Sequence, residues 1–541
     1  MSTTAELIVV ADRVHTMNPR YPHGQAVAIR DGLIIGIGDR DDVRQWRGAG
    51  TEVVDLGAAT ITPGLVDGHI HPVLGLGLTQ GADLSAVGSV PELIRALRAA
   101  QRADPGEWVL GWGLNPNVFG TDRITAEPLV EALGDVPALV VLFDAHSAIA
   151  TPAALKRAGI DGPREFDGAA EVVCDSRGVP TGHLLELPAY ELVSGVLPAQ
   201  SPATRRARLA DLLRAMAATG LTAGNAMDFD GDSEQVVGGL AQEIDLPLRL
   251  RFAPMCMPGA TRGFLDHVIE QQRLGGRRWA VDGVKFMIDG TIDGGTAWLE
   301  HADSHGESAA PFWPEPQAYT EAARYLAAAG VPTVTHAIGD AGVRYVLDAL
   351  SGIPAQRTRV PHRIEHIETI PADLLGRFRA LDVTASMQPT HCTLYTNADH
   401  SDNWSERLGT ERANRAFRCR DLRDAGARLA LGSDWPVAPF DARQVMAAAR
   451  LRRSAGQPND DPVLPDQALT ARMTLEGYTS HAARAAGLQD VAGRIAVGYR
   501  ADLSAFGLDP LTAGPDEFAQ SPVPLTVVDG AIAHRGPDAA C

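Results

Sequence analysis

Two histidines one residue apart, His69 and His71, close a short apolar run in the segment GLVDGHIH. On an extended strand, residues i and i+2 point to the same face, so both imidazoles would project together from the strand's end. Two nitrogen donors so placed suit a divalent transition metal. A bare H-x-H also fits two histidines in a surface turn, so the pair needs partners. Ligand-type residues recur at the ends of four later strand-like runs: Lys285 in VDGVKFMID, His336 in VPTVTHAIGD, His366 in PHRIEHIET and Asp434 in RLALGSDWP. Six such positions, spread from residue 69 to residue 434, are hard to explain as independent core or surface choices. Asp434 has the chemistry to touch a metal and to take a proton from the water it activates, which makes it the expected general base. Its alternative reading is a helix N-cap.

Other patterns carry less. His362 with His366, and His301 with His305, repeat the i, i+4 spacing of a helical zinc pair, but neither is an H-E-x-x-H and neither lies on a convincing helix. The glycines of GLGLTQG miss the dinucleotide-binding spacing, and no activated-serine motif is found.

The ligand-type residues need a frame that gathers strand ends. Eight strand-like runs alternate with helix-period segments between residues 62 and 481: GLVDGHIH, LTAGNAM, LRLRFAPM, VDGVKFMID, VPTVTHAIGD, PHRIEHIET, VTASMQPTH and RLALGSDWP. That rhythm predicts an α/β chain with a (β/α)8 TIM barrel, whose active site lies where the strands end. Residues 1–61 and 482–541 share a grammar of short β-branched runs and Gly/Asp turns, predicting one β-sandwich domain formed by both chain termini. From about 75 to 198 the rhythm breaks, and an inserted α+β subdomain overhanging the barrel mouth is expected.

Composition narrows the function. The 48 basic and 67 acidic residues give a formal charge of −19, which opposes nucleic acid and anionic membrane surfaces as partners. The first residues show no basic, cleavable leader, and no apolar run spans a bilayer, so a cytoplasmic protein acting on a small-molecule substrate is expected, with a homodimer left open. Cys174, Cys256, Cys392, Cys419 and Cys541 form no C-x-x-C pair, which speaks against a disulfide framework or a thiolate zinc site. Only two of the basic residues are lysine, Lys156 and Lys285. Where arginine serves almost every ordinary positive charge, a lysine on an apolar strand invites a chemical explanation.

The motifs ITPGLVDGHIHP, GVKFMIDGT, THAIGD, RIEHIE and LGSDWPVAP, with YTSHAARAAG and VAGRIAVGYRADL near the end, resemble the YtcJ-like branch of the amidohydrolase superfamily, which also contains N-substituted formamide deformylase. The resemblance runs from the first strands to the last forty residues or so. It implies a barrel plus a β-sandwich and metal ligands at His69, His71, Lys285, His336, His366 and Asp434. A protonated ammonium would repel a dication, whereas a lysine carbamate bridges two. Lys285 so modified implies a binuclear centre, with zinc the expected ion and one ion the alternative. A plain buried Lys285 paired with Asp282 or Asp289 stays open. Asn115, His146, Asp289 and Gln388 match family motifs near the rim and are expected to contact substrate. Asn225 departs from the histidine common at its position in relatives.

The loops expected above the metal contain Met255, Met257, Phe286, Trp298, Trp313 and Tyr395, with little fixed positive charge beside them. Such a lining suits a neutral, apolar substituent. The expected reaction is hydrolysis of the C–N bond of a small neutral N-substituted amide, with an N-substituted formamide the leading candidate. A deaminase or cyclic amidase using the same site is the alternative enzyme, and a non-catalytic amidohydrolase-like scaffold the alternative outside enzymes.

Overall fold

The computed structural model describes residues 4–120, 122–166, 170–354 and 357–537. Cys541 lies outside them, and Cys174, Cys256, Cys392 and Cys419 are unpaired. The eight runs read from the sequence are strands: Leu65–Ile70, Leu221–Ala226, Arg249–Phe252 continued at Met255–Cys256, Trp279–Val281 continued at Val284–Met287, Thr333–Ala337, Arg363–His366, Thr384–Met387 and Leu429–Leu431. Each pairs in parallel with its neighbour in chain order. The last returns beside the first: Ile70 and Trp435 form a parallel bridge, and the Asp434 N–H donates to the His69 carbonyl at 2.8 Å. The third strand breaks at Pro254, which has no N–H to give, and the fourth at Gly283, whose φ of +131° a side chain would disfavour.

Helices return the chain between these strands. In Pro202–Ala218 the Ser201 hydroxyl accepts from the Thr204 N–H, and Pro202 occupies the first turn, where no N–H is needed. Leu209, Leu213 and Met216, spaced i, i+4 and i+7, turn one face of this helix into the core. Burying each such side chain contributes about 1.5–3 kcal/mol. Ile70, Leu250, Phe252 and Phe286 meet that core from the strands, leaving the alternate strand positions to face the other way.

Both termini build one eight-stranded sheet. Leu7–His15 pairs antiparallel with His23–Arg30 and parallel with Glu52–Asp55, while Thr60–Pro63 pairs antiparallel with Leu503–Phe506, Ser504 lying opposite Thr62. Its apolar face, Val9, Val27, Ile61, Leu503 and Val527 among others, forms a separate cluster. A further six-stranded sheet spans Ala82 to Leu185, between the first two parallel strands. It carries clusters of its own on both faces. Among the described residues no helix is long and apolar enough to cross a membrane.

Candidate metal centre and active site

The H-x-H pair comes together as strand parity predicts: His69 Nε2 and His71 Nε2 stand 3.3 Å apart. Asp434 Oδ1 completes the group, 3.3 Å from His69 Nε2 and 3.2 Å from His71 Nε2. Tetrahedral bonds of about 2.0–2.2 Å place neighbouring donors roughly 3.3–3.6 Å apart. The three atoms thus have the spacing of ligands around one small cation, and Asp434 Oδ1, although buried, has no hydrogen-bond partner in the protein. His366 faces the same carboxylate, its Nδ1 at 3.7 Å from Asp434 Oδ2. His69, His366 and Asp434 bring ligand atoms within 4.8 Å of one another. The donor set therefore fits a divalent metal.

Lys285 Nζ lies 3.5 Å from His69 Nε2 and beside neither aspartate considered from the sequence. Asp282 instead pairs with Arg359, and Asp289 accepts from the backbone N–H groups of Trp298, Ile338 and Gly339. Burial lowers the Lys285 pKa to about 8, leaving a usable fraction of neutral amine near neutrality. His336 stands with its ring centroid 4.5 Å from that of His366 and donates Nε2–H to the Gly290 carbonyl at 3.1 Å, which leaves Nδ1 as its lone-pair nitrogen. Burial holds His69, His336 and His366 neutral, and the Lys285 charge adds to it in all three. Neutral imidazole is the form that ligates. Burial alone would raise the Asp434 pKa, but the surrounding histidines, His69 foremost, hold it well below the usual carboxylate range.

Behind these groups stands a layer of which the sequence reading singled out Gln388 alone, and that as a substrate contact. Glu365 Oε2 accepts from His69 Nδ1–H at 2.6 Å, which fixes Nε2 as the free lone pair. Arg363 holds Glu365 through Nε and Nη2, and this guanidinium outweighs burial to keep Glu365 ionised. Asp67 ties the first strand to the last, accepting from the His69 and Ser433 N–H groups and the Ser433 hydroxyl. Gln388 Oε1 stands 3.0 Å from His366 Nδ1. His391, four residues past the seventh strand, places Nε2 at 3.7 Å from Asp434 Oδ2 and Nδ1 at 3.8 Å from Glu368 Oε1. Its signal was present in VTASMQPTH, which ends on it.

The cavity above the cluster is lined by His71, Lys285, His336, His366 and Asp434, and on its other wall by Phe143, Asp144, His146 and Leu187 of the segment between the first two parallel strands. Of the four residues expected to contact substrate, only His146 lines it. Gln388 braces His366, Asp289 is consumed by three backbone N–H groups, and the Asn115 side chain accepts from the Asn117 N–H to cap a turn at Pro116–Phe119. Asn225 is buried with its Nδ2 3.5 Å from the Asp67 carbonyl. Of the six apolar residues expected above the metal, Met255 and Tyr395 line the cavity. Phe286 and Trp313 instead pack in the core against Tyr319, Trp298 meets Tyr345 in a tilted ring contact, and Met257 lines a neighbouring groove with Phe264. His146 Nδ1 pairs with Glu186 at 2.9 Å. Burial alone would lower the His146 pKa; the pairing prevails and pushes it up to about 9.

A chain that gathers histidines, a lysine and an aspartate at the ends of parallel strands is built like a metal-dependent hydrolase, and the amidohydrolase family profile matches residues 52–534. The chain belongs to that family. It is 27% identical over 529 residues to the YtcJ protein of Bacillus subtilis (strain 168), covering 96% of this chain and 98% of that one. N-substituted formamide deformylase of Arthrobacter pascens is 26% identical over 563 residues, 99% of each chain. Among solved structures, an uncharacterized metal-dependent hydrolase from Pyrococcus horikoshii OT3 has a TM-score of 0.72 at 24% identity, over 94% of this chain and 99% of that one. Atrazine chlorohydrolase TrzN from Arthrobacter aurescens TC1, complexed with zinc, has a TM-score of 0.54 at 14% identity, over 97% and 94%. The resemblance read from the motifs is thereby confirmed.

Proposed function

We propose that this amidohydrolase uses a bound divalent metal to hydrolyse the C–N bond of a small neutral N-substituted amide, with N-substituted formamides the leading class. The observation that carries the reading is the convergence of His69 Nε2, His71 Nε2 and Asp434 Oδ1 at 3.2–3.3 Å, with Glu365 fixing the tautomer behind. The two parallel sheets, bridged at Ile70 and Trp435, support a (β/α)8 barrel over residues 62–481 with an insert at about 75–198. The shared terminal sheet supports a composite sandwich domain from residues 1–61 and 482–541.

The nitrogen-rich ligand set favours zinc, and the zinc in TrzN, which shares the fold, agrees with that choice. With Lys285 as its carbamate, the positions His69, His71, Lys285, His336, His366 and Asp434 suffice for two ions. The metal supplies Lewis-acid activation of water and of the substrate carbonyl. Asp434 accepts the proton of the attacking water and returns it to the departing amine nitrogen. Protonated His146, oriented by Glu186, donates to the acyl oxygen and holds the amide over the cluster. Leu74, Leu78, Phe143 and Tyr395 give the N-substituent an apolar wall. No arginine is among the described residues lining the cavity, so a substrate carboxylate has no fork to bind.

The test is a panel of N-alkyl and N-aryl formamides, longer acyl amides and cyclic amides, offered to metal-replete protein. Release of formate with a primary amine supports the reading. Ammonia release or ring opening alone would move the assignment to a deaminase or cyclic amidase, and inertness toward the whole panel would remove the amidase reading.

A further inference from the structure

The end of the parallel sheets where the strands begin carries a second cavity, of about 190 Å3, which shares no residue with the catalytic one and has several arginines in its lining. Arg249 and Arg251, two apart on the third strand, both line it; Leu250 between them belongs to the core and meets the cavity only at its edge, and Phe252 after them packs wholly in the core. Beside them in register stand Ala223, opposite Arg249, and Asn225 and Ala280, on either side of Arg251. Arg277, Arg359 and Arg500 complete a lining that contains a single carboxylate, Asp282. In a chain of formal charge −19 this is a local reversal of sign.

Most of these arginines are paired. Arg249 and Arg500 share Asp529, Arg277 holds Asp245, and Arg359 holds Asp282. Arg251 is different. It is 6% exposed, and none of its three guanidinium nitrogens has a hydrogen-bond partner in the protein. Its nearest carboxylate oxygen, Asp282 Oδ2, is 3.8 Å from Nε. The strand break leaves room for it, since a Cβ on Gly283 would stand 2.9 Å from Arg251 Nη2. A buried guanidinium without partners is costly, and a planar fork of N–H donors is the group that oxyanions satisfy best.

We propose that this cavity is an oxyanion site, in which Arg251 makes a bidentate contact to a phosphate-type group and Arg249 and Arg500 add charge. Ala486, Leu488 and Arg500 line it from the C-terminal part of the chain, so the bound anion clamps that segment to the strands.

Thermal unfolding in sodium phosphate, in a phosphate monoester such as glycerol phosphate, and in sodium chloride at matched ionic strength tests it. Saturable stabilisation by phosphate but not chloride is expected, following the logarithm of ligand concentration above Kd. A response to phosphate alone assigns the site to the free ion, and an equal response to the ester shows that it admits phosphate esters. Arg251→Met should weaken phosphate binding at least about tenfold. Should that variant fail to fold, Ala280→Glu, whose exposed site faces Arg251 in register, supplies a tethered carboxylate and should abolish the phosphate response in a folded protein. Equal shifts with phosphate and chloride, or an undiminished phosphate response in Ala280→Glu, would overturn the proposal.

Discussion

The two walls of the active-site cavity are built to different standards of redundancy. On the strand side nearly every polar group is braced by another: Glu365 holds His69, Arg363 holds Glu365, Asp67 ties His69 to Ser433, and Gln388 holds His366. Backbone strain is stored there too, since His366 and Asp434 take φ of +72° and +60°. On the facing wall, Phe143, Asp144, His146 and Leu187 come from the inserted segment and its exit. There His146 pairs with Glu186, which also accepts from the Thr296 hydroxyl, Asp144 accepts from the His146 and Ser147 N–H groups, and the apolar part is the Phe143–Tyr395 contact at a ring-centroid distance of 3.8 Å. Under the proposed function the strand wall holds the centre through side-chain pairs that link one strand to another, whereas the facing wall is braced within the insert and by Thr296, so substitutions there should alter substrate handling without dismantling the centre.

The comparison breaks first, and by the most, at Asp434. Asp434→Asn keeps the shape but removes the base, and kcat should fall about a thousandfold, read in single-turnover assays with metal content measured alongside. Next, Glu365→Gln frees the His69 tautomer, and a competition titration with a chelator should show metal affinity about 10–100-fold weaker. An unchanged affinity would show that the bracing is ornamental.

The opposite wall should respond differently. His146→Gln should lower kcat/KM about tenfold on the best formamide while leaving metal content unchanged. Its sign with pH follows from the raised pKa: the His146–Glu186 contribution to stability is present in full below about pH 6.5 and is lost as the pH rises through about 9. A wild-type alkaline limb near pH 9, in activity and in unfolding temperature, should therefore vanish in the variant. The smallest effect belongs to Asn115→Ala, which removes a turn cap outside the cavity; it should cost about 1 kcal/mol in denaturant unfolding and leave kcat/KM within roughly twofold.

Much of the frame was legible because strand parity and strand ends leave marks in sequence. His69 and His71 flank Ile70, which packs outward, and Lys285 is followed by Phe286, which does the same. That rule, applied to Phe286, would already have sent it to the core rather than to the cavity. Parity fails for His366. It follows Glu365, whose side chain faces His69, so alternation alone would point His366 away; the left-handed turn at His366 and Ile367 brings it back toward Asp434. Nothing in a non-glycine sequence announces such a turn. Glu365 itself was readable as half of a charged pair, Arg363 and Glu365, on a strand-like run whose every residue is buried, the pair included. Of the facing wall only His146 was legible, through motif likeness; Phe143, Asp144 and Leu187 were not, because which residues of a long insert return to the mouth depends on tertiary packing. Motif likeness nominated Asn115, Asp289 and Gln388 without distinguishing a residue that meets substrate from one that holds the residue that does.

The central claim is that the converging donors hold a catalytic divalent metal, and elemental analysis of protein purified without chelator tests it most directly. The account predicts about one or two divalent ions per chain, zinc foremost, loss of amide turnover on their complete removal, and recovery when the ion is restored. Full turnover by protein freed of divalent metal would contradict it.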